Sequence, residues 1–234
     1  MFFDPLWFLL MLPATLLAAW AQWKVHSAFE EASHIEPASG ATGAEAAAVI
    51  LSRSGLAGVE VQPAEGFLSD HYDPREKVLR LSPDVHDGRS LAAVGVAAHE
   101  AGHALQDATG YPLLILRNSI VPLASVGGNL SWILLMAGFF LHSFGMVLAG
   151  IVAFSLTVIF QLVNLPVEFD ASRRAKKILL DLGLVRQDEA PMVRKVLSAA
   201  AMTYVAATLM ALLNLLYFLI RSGILGGGHS RDES

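Results

Sequence analysis

Residues 91–106 read LAAVGVAAHEAGHALQ, and the rest of the chain is organised around them. Ser90 stands in front of the run as an N-cap residue and no proline interrupts it, so the spacing predicts a helix. His99 and His103 fall one helical turn apart on one face, with Glu100 beside them. This HExxH spacing offers what a zinc peptidase needs: two neutral nitrogen ligands, an open metal position, and a carboxylate able to take a proton. The alternative is a pair of buried histidines that merely satisfy neighbouring carbonyls. Ala92 and Val96 lie near the histidine stripe, so the stripe faces packed protein, and Gly102 leaves room for a close approach of backbone or substrate.

Outside this helix the chain is unusually apolar. Of its 234 residues 54% are hydrophobic and 16% charged, which is a membrane-protein composition. Four stretches approach the roughly 20 apolar residues that a bilayer crossing requires: within 1–23, 119–141, 145–166 and 199–221. The second and third form a hairpin over 119–166, leaving 24–118 and 167–198 as aqueous segments and 222–234 as a flexible tail in which His229 is solvated.

Basic residues orient these spans. Lys24, Arg53, Arg75, Lys77, Arg80, Arg89 and Arg117 lie in or beside the first aqueous segment, and Arg173, Arg174, Lys176, Lys177, Arg186, Arg194 and Lys195 in the second, out of 16 in the chain. The positive-inside rule places both segments in the cytoplasm, with both termini and the His142/Ser143 turn outside a cell membrane. Trp20 and Trp23 fit an interfacial belt at the inner end of the first span. A cleavable signal peptide competes for the N-terminus through Ala19-Trp20-Ala21, but no basic residue precedes the apolar run. The absence of cysteine excludes disulfides and thiolate-bound metal, and a net charge of −5 gives no support for nucleic-acid binding.

Within the first aqueous segment, residues 34–43 read as a linker and Thr42 with Glu45 as a capping box for a helix ending at Gly55. GVEVQ (58–62), GFLSDHY (66–72) and KVLRLS (77–82) read as three short strands of a small antiparallel sheet, with a turn at Asp73-Pro74. Ser82-Pro83 begins a short turn before the HExxH helix. A free sheet edge would let an extended peptide add as a further strand. His71 and Tyr72 are candidate contacts to substrate or transition state, although a polar turn accounts for them equally well.

A catalytic zinc takes a third protein ligand. If Pro166 starts a helix, Glu168 shares a face with Ala171, Ser172, Ala175 and Leu179, whereas Asp170 shares one with Arg173, Arg174 and Lys177. The wheel thus turns Glu168 inward and Asp170 to water, and a buried carboxylate must be paired or metal-bound. The alternative is an acid favoured by a helix N-terminus. The two-span hairpin returns Glu168 to the membrane face that carries His99 and His103. Asn164, Gln161 and Asn129 read as amides bonding neighbouring helices, and Gly127-Gly128 as a close helix contact.

With SGATGAEAA, LSDHYDPREKVLRLSP, SLAAVGVAAHEAGHALQDA and LPVEFDASRRA, the chain resembles the YugP-like neutral zinc metallopeptidases, small bacterial membrane proteins, over nearly its whole length. That resemblance implies a zinc-dependent membrane peptidase with His99, His103 and Glu168 as metal ligands and Glu100 as the catalytic base. The expected fold is an α-helical membrane protein with four transmembrane helices and a small α+β zincin-like (minimal gluzincin) core. More distantly it is similar to HtpX-type proteases, where an Asp four positions after the Glu ligand supports a histidine; here that position is Ser172. FtsH-type proteases share HEAGHA, but no Walker A loop is present, so no ATP is expected.

The expected partners are the lipid bilayer and a protein or peptide substrate, with Zn2+ as cofactor; a regulatory partner or oligomer is left open. Two rival functions remain. A site-two-type protease would put HExxH inside the bilayer, yet Arg89 and Asp107 make its helix a poor span. A zinc-stabilised scaffold or chaperone would have no use for Glu100.

Overall fold

The structure is a computed structural model that describes residues 4–66 and 69–225. In chain order the elements are α1 (Pro5–Ser33), α2 (Gly43–Arg53), β1 (Glu60–Pro63), β2 (His71–Asp73), β3 (Val78–Leu81), α3 (Pro83–His86), α4 (Leu91–Ala108), α5 (Pro112–Phe140), α6 (Phe144–Asp181) and α7 (Ala190–Arg221). Part of the stretch read as a strand over 66–72, and residues 226–234 of the tail with His229, lie outside the described residues.

Four helices, α1, α5, α6 and α7, are long and apolar enough to cross a membrane. All four extend beyond the apolar runs seen in the sequence. The largest extension overturns one expectation: Pro166 lies inside α6 and does not start a helix. Proline removes one bond, to the carbonyl four residues earlier, and a long apolar helix flanked by good helix formers accepts that loss.

The chain forms two compact units. Unit 1 takes residues 1–18, 116–163 and 205–234. Its interior is built from Leu135, Ile151, Phe154 and Phe218, while Leu9, Val126, Ile133 and Val152 point outward, a pattern suited to an apolar solvent. A side chain at Gly127 would sit 3.0 Å from the Ala153 carbonyl, so the small residue does permit a close helix contact.

Unit 2 takes residues 19–115 and 164–204. The capping box is formed: Thr42 Oγ1 accepts from the Glu45 amide and the Glu45 carboxylate accepts from the Thr42 amide. Gly55 then adopts the left-handed backbone (φ 75°) just after the end of α2. Ile50 and Leu51 of α2 bury against the alanine-rich α4, and Leu79 and Leu81 of β3 join the same core.

The sheet differs from the all-antiparallel expectation. Its order is β1-β3-β2, with β2 antiparallel and β1 parallel to β3. The β2–β3 turn is where the sequence placed it, and the Asp73 side chain accepts from the amides of Arg75 and Glu76 to hold it. β2 and β3 follow one another through a tight turn and so run antiparallel, while β1 lies on the other edge of β3 and runs in the same direction as it. Strand signals carry no direction.

Candidate metal centre

Ser90 Oγ accepts from the Ala93 amide and starts α4, which then runs unbroken through both histidines. Four residues apart, His99 and His103 bring their rings to 4.9 Å between centroids at 84°. Opposite them α6 presents Glu168. The two helices touch at Gly102, where a Cβ would lie 2.7 Å from the Ala171 carbonyl oxygen. It is backbone, not substrate, that occupies the room this glycine leaves. Gly102→Val is therefore expected to force α4 and α6 apart and to destabilise the protein by about 1–3 kcal/mol, the range for overpacking a core. A lowered thermal midpoint together with weakened metal binding would register it.

Glu168 Oε2 lies 3.2 Å from His99 Nε2 and 3.6 Å from His103 Nε2. His99, His103 and Glu168 each offer an atom within 4.8 Å of the others. Glu168 and His103 are buried, at 5% and 7% exposure. Burial alone would push the Glu168 carboxyl up, but its hydrogen bonds from His103 and His99 outweigh that and hold it far below the usual range. Burial likewise disfavours a charged His103, and the hydrogen bond to Glu168, with the Glu100 and Glu168 charges, reverses the effect and raises it. The two shifts are the reciprocal sides of one pairing, at the place where His99, His103 and Glu168 converge.

The far sides of the rings settle which nitrogens face that place. Gln106, fully buried one turn beyond His103, donates through Nε2 to the Val167 carbonyl (2.8 Å) and to Asp170 Oδ2 (3.0 Å). Two acceptors around one end allow only the amide nitrogen there, so Gln106 Oε1 is left to accept from His103 Nδ1 at 2.9 Å. In the neutral ring this tautomer carries its lone pair on Nε2, the nitrogen on the Glu168 side, where a metal would take it in place of the hydrogen bond to Glu168. Ser172 Oγ stands 3.1 Å from His99 Nδ1 and can accept in the same way without carrying a charge. Two imidazoles and one carboxylate, oriented from behind, fit the donor set of a catalytic zinc with one open position.

Asp170 is corrected by the structure. Instead of pointing to water it is 5% exposed, taking hydrogen bonds from Gln106, Arg173 and Arg174. Burial would raise its carboxyl, and these donors bring it down to about 2. The helical wheel placed it correctly beside its arginines, but the wheel cannot see Gln106 reaching across from α4. Gln106 itself went unremarked in the sequence, where a glutamine three residues after His103 is the one available signal. Gln106→Leu roughly keeps the volume but leaves His103 Nδ1 without its acceptor and takes one of three donors from Asp170; we expect zinc affinity to fall by roughly 10–100-fold, measured by competition with a chelator.

Glu100 is 9% exposed, and its carboxylate takes no hydrogen bond from any described residue. The carboxylate lines a cavity, where it is available to something that enters from outside. His71 and Tyr72 are not part of this cluster. His71 Nδ1 donates to the Ser69 carbonyl at 2.7 Å, and the Tyr72 hydroxyl donates to Asp107 Oδ2 at 2.7 Å. Burial, then the bonded Asp107 carboxylate, pushes the Tyr72 phenol well up, so it serves as a neutral tie between β2 and the end of α4. Asn164, one turn before Glu168, is buried with its Oδ1 unpartnered among the described residues, and it does not bond Glu168.

A family model described as "Putative neutral zinc metallopeptidase" matches residues 7–223. Over 215 residues the chain is 48% identical to "Putative membrane protease YugP" of Bacillus subtilis (strain 168), covering 92% of this chain and 96% of that protein. No solved structure matches the chain.

Proposed function

The chain belongs to the family described as "Putative neutral zinc metallopeptidase", and on that footing we propose that it is a membrane-embedded zinc metalloendopeptidase acting on membrane or juxtamembrane segments of proteins. The observation that carries this reading is the convergence of His99, His103 and Glu168 with a donor-free Glu100 beside them. Bound there, zinc supplies Lewis acidity, which polarises a peptide carbonyl and acidifies water. The remaining work falls to the chain's own groups. Gln106 and Ser172 hold the two imidazoles with their Nε2 atoms inward. The Glu100 carboxylate takes the proton of the attacking water and returns it to the leaving nitrogen.

In this reading α1, α5, α6 and α7 anchor the protein in a cell membrane, with the HExxH helix on the cytoplasmic side and both termini outside. The clustering of basic residues between the first and second and between the third and fourth spans supports that orientation. An extended substrate adding at a free edge of the sheet would present its backbone to the site. Glu100 favours catalysis over a purely structural zinc, which needs no base.

The purified protein is expected to cleave an unfolded membrane-protein substrate, to lose the activity when zinc is stripped by a chelator, and to regain it on adding zinc back. Activity indifferent to chelation would rule the mechanism out. A tagged domain fused to either terminus and probed with an impermeant protease would decide the orientation.

A further inference from the structure

Beside Glu100, unit 2 contains a cavity of about 170 Å³. Val25 and Phe29 of α1 form one wall, Val196 and Ala200 of α7 another, and His99 with Glu100 the floor. These wall residues recur at helical spacing, so α1 and α7 each turn one apolar stripe toward the cavity. Its size matches apolar cavities of roughly 150 Å³ that take up a benzene ring. We propose that this cavity holds a bulky apolar side chain of the substrate, leucine or phenylalanine, next to the bond to be cut. The proposal rests on the peptidase reading and adds to it a cleavage preference and the residues that set it.

Charge at the site narrows the choice further. Apart from the site residues, the charged group lining the cavity is Asp70, whose carboxylate already takes the Ser82 amide at 2.8 Å and the Ser82 hydroxyl at 3.0 Å. An acidic side chain would meet Asp70 and Glu100, two like charges. A basic one would have to pair with Glu100 and so occupy the group the reaction needs. An aliphatic or aromatic chain has neither difficulty, and it buries the carbon surface of four wall residues.

The probe is a set of fluorescently labelled peptides that differ at one central position, Leu, Phe, Ala, Asp or Lys. Their binding is measured on Glu100→Gln in phosphatidylcholine nanodiscs, where hydrolysis does not intervene. Leu and Phe peptides are expected to bind at least ~10-fold more tightly than the other three, because discrimination by an apolar pocket reaches that level per side chain. Ala200→Phe in the same background fills the cavity and should erase the difference while sparing the Ala peptide. If that variant does not fold, Phe29→Ala enlarges the cavity and should move the preference from Leu toward Phe. Equal binding of all five peptides, or a preference for Asp or Lys, would overturn the proposal. Mapping the cuts made by the zinc-loaded wild type tells failure of the pocket from failure of the peptidase reading. Cuts without an apolar neighbour sink the pocket alone, whereas peptides bound with the stated preference but never cut sink the peptidase and leave the pocket standing.

Discussion

Glu100→Gln is expected to lower peptide hydrolysis by roughly 10²–10⁴-fold, the usual worth of a positioned general base, while the purified protein keeps its full metal content. The substitution changes one oxygen to an amide of the same shape, so packing is preserved. No hydrogen bond to a described residue is lost, because the native carboxylate makes none. The metal ligands His99 and His103 keep their supports at Ser172 and Gln106. What disappears is a group able to accept and return a proton. Equal hydrolysis by wild type and variant would remove Glu100 from the mechanism. Metal loss in the variant would assign it to the coordination shell instead.

Glu168→Ala is expected to act in the opposite way, abolishing metal retention first and activity as a consequence. Removing the carboxylate leaves two imidazoles to hold the cation, and the loss should exceed the 10–100-fold that disturbing a supporting residue costs. Zinc measured after gel filtration should fall from about one per chain to near none, since a catalytic zinc needs three protein ligands. The fold has reason to survive. Ala171, Ala175 and Leu179 of α6 remain fully packed against unit 2, and the Gly102 contact to the Ala171 carbonyl does not involve the Glu168 side chain. Normal thermal unfolding of a zinc-free variant would separate ligand loss from collapse. Full zinc retention would remove Glu168 from the ligand set.

Those parts of the molecule governed by local pattern were legible in the sequence. The HExxH helix with its Ser90 cap, the Thr42/Glu45 box, the Asp73 turn and the four apolar helices each depend on residues within a few positions of one another. Glu168 was also within reach, because a carboxylate on the alanine face of an amphipathic stretch is buried there and needs a cation or a donor to face. What escaped depends on partners remote in sequence. Asp170 looks solvent-facing from its own helix and is buried because Gln106 meets it from 64 residues away. The parallel pairing of β1 with β3 is a matter of chain path, which alternation of side chains does not encode. Pro166 reads as a boundary on local grounds, and the length of α6 on both sides of it overrides the local preference. Asp70 gave no signal at all, since nothing in SDHYDP says that it lines the cavity beside Glu100.

The whole mechanism depends on His99, His103 and Glu168 together holding one zinc. Zinc-edge X-ray absorption on the purified wild-type protein tests this most directly, because with no cysteine in the chain no thiolate sulfur complicates a shell of nitrogen and oxygen. The expected result is about one zinc per chain with a first shell of two imidazoles and carboxylate oxygen at roughly 2.0–2.2 Å. A protein purified without zinc that also fails to take it up, or a shell lacking the two imidazoles, would contradict it.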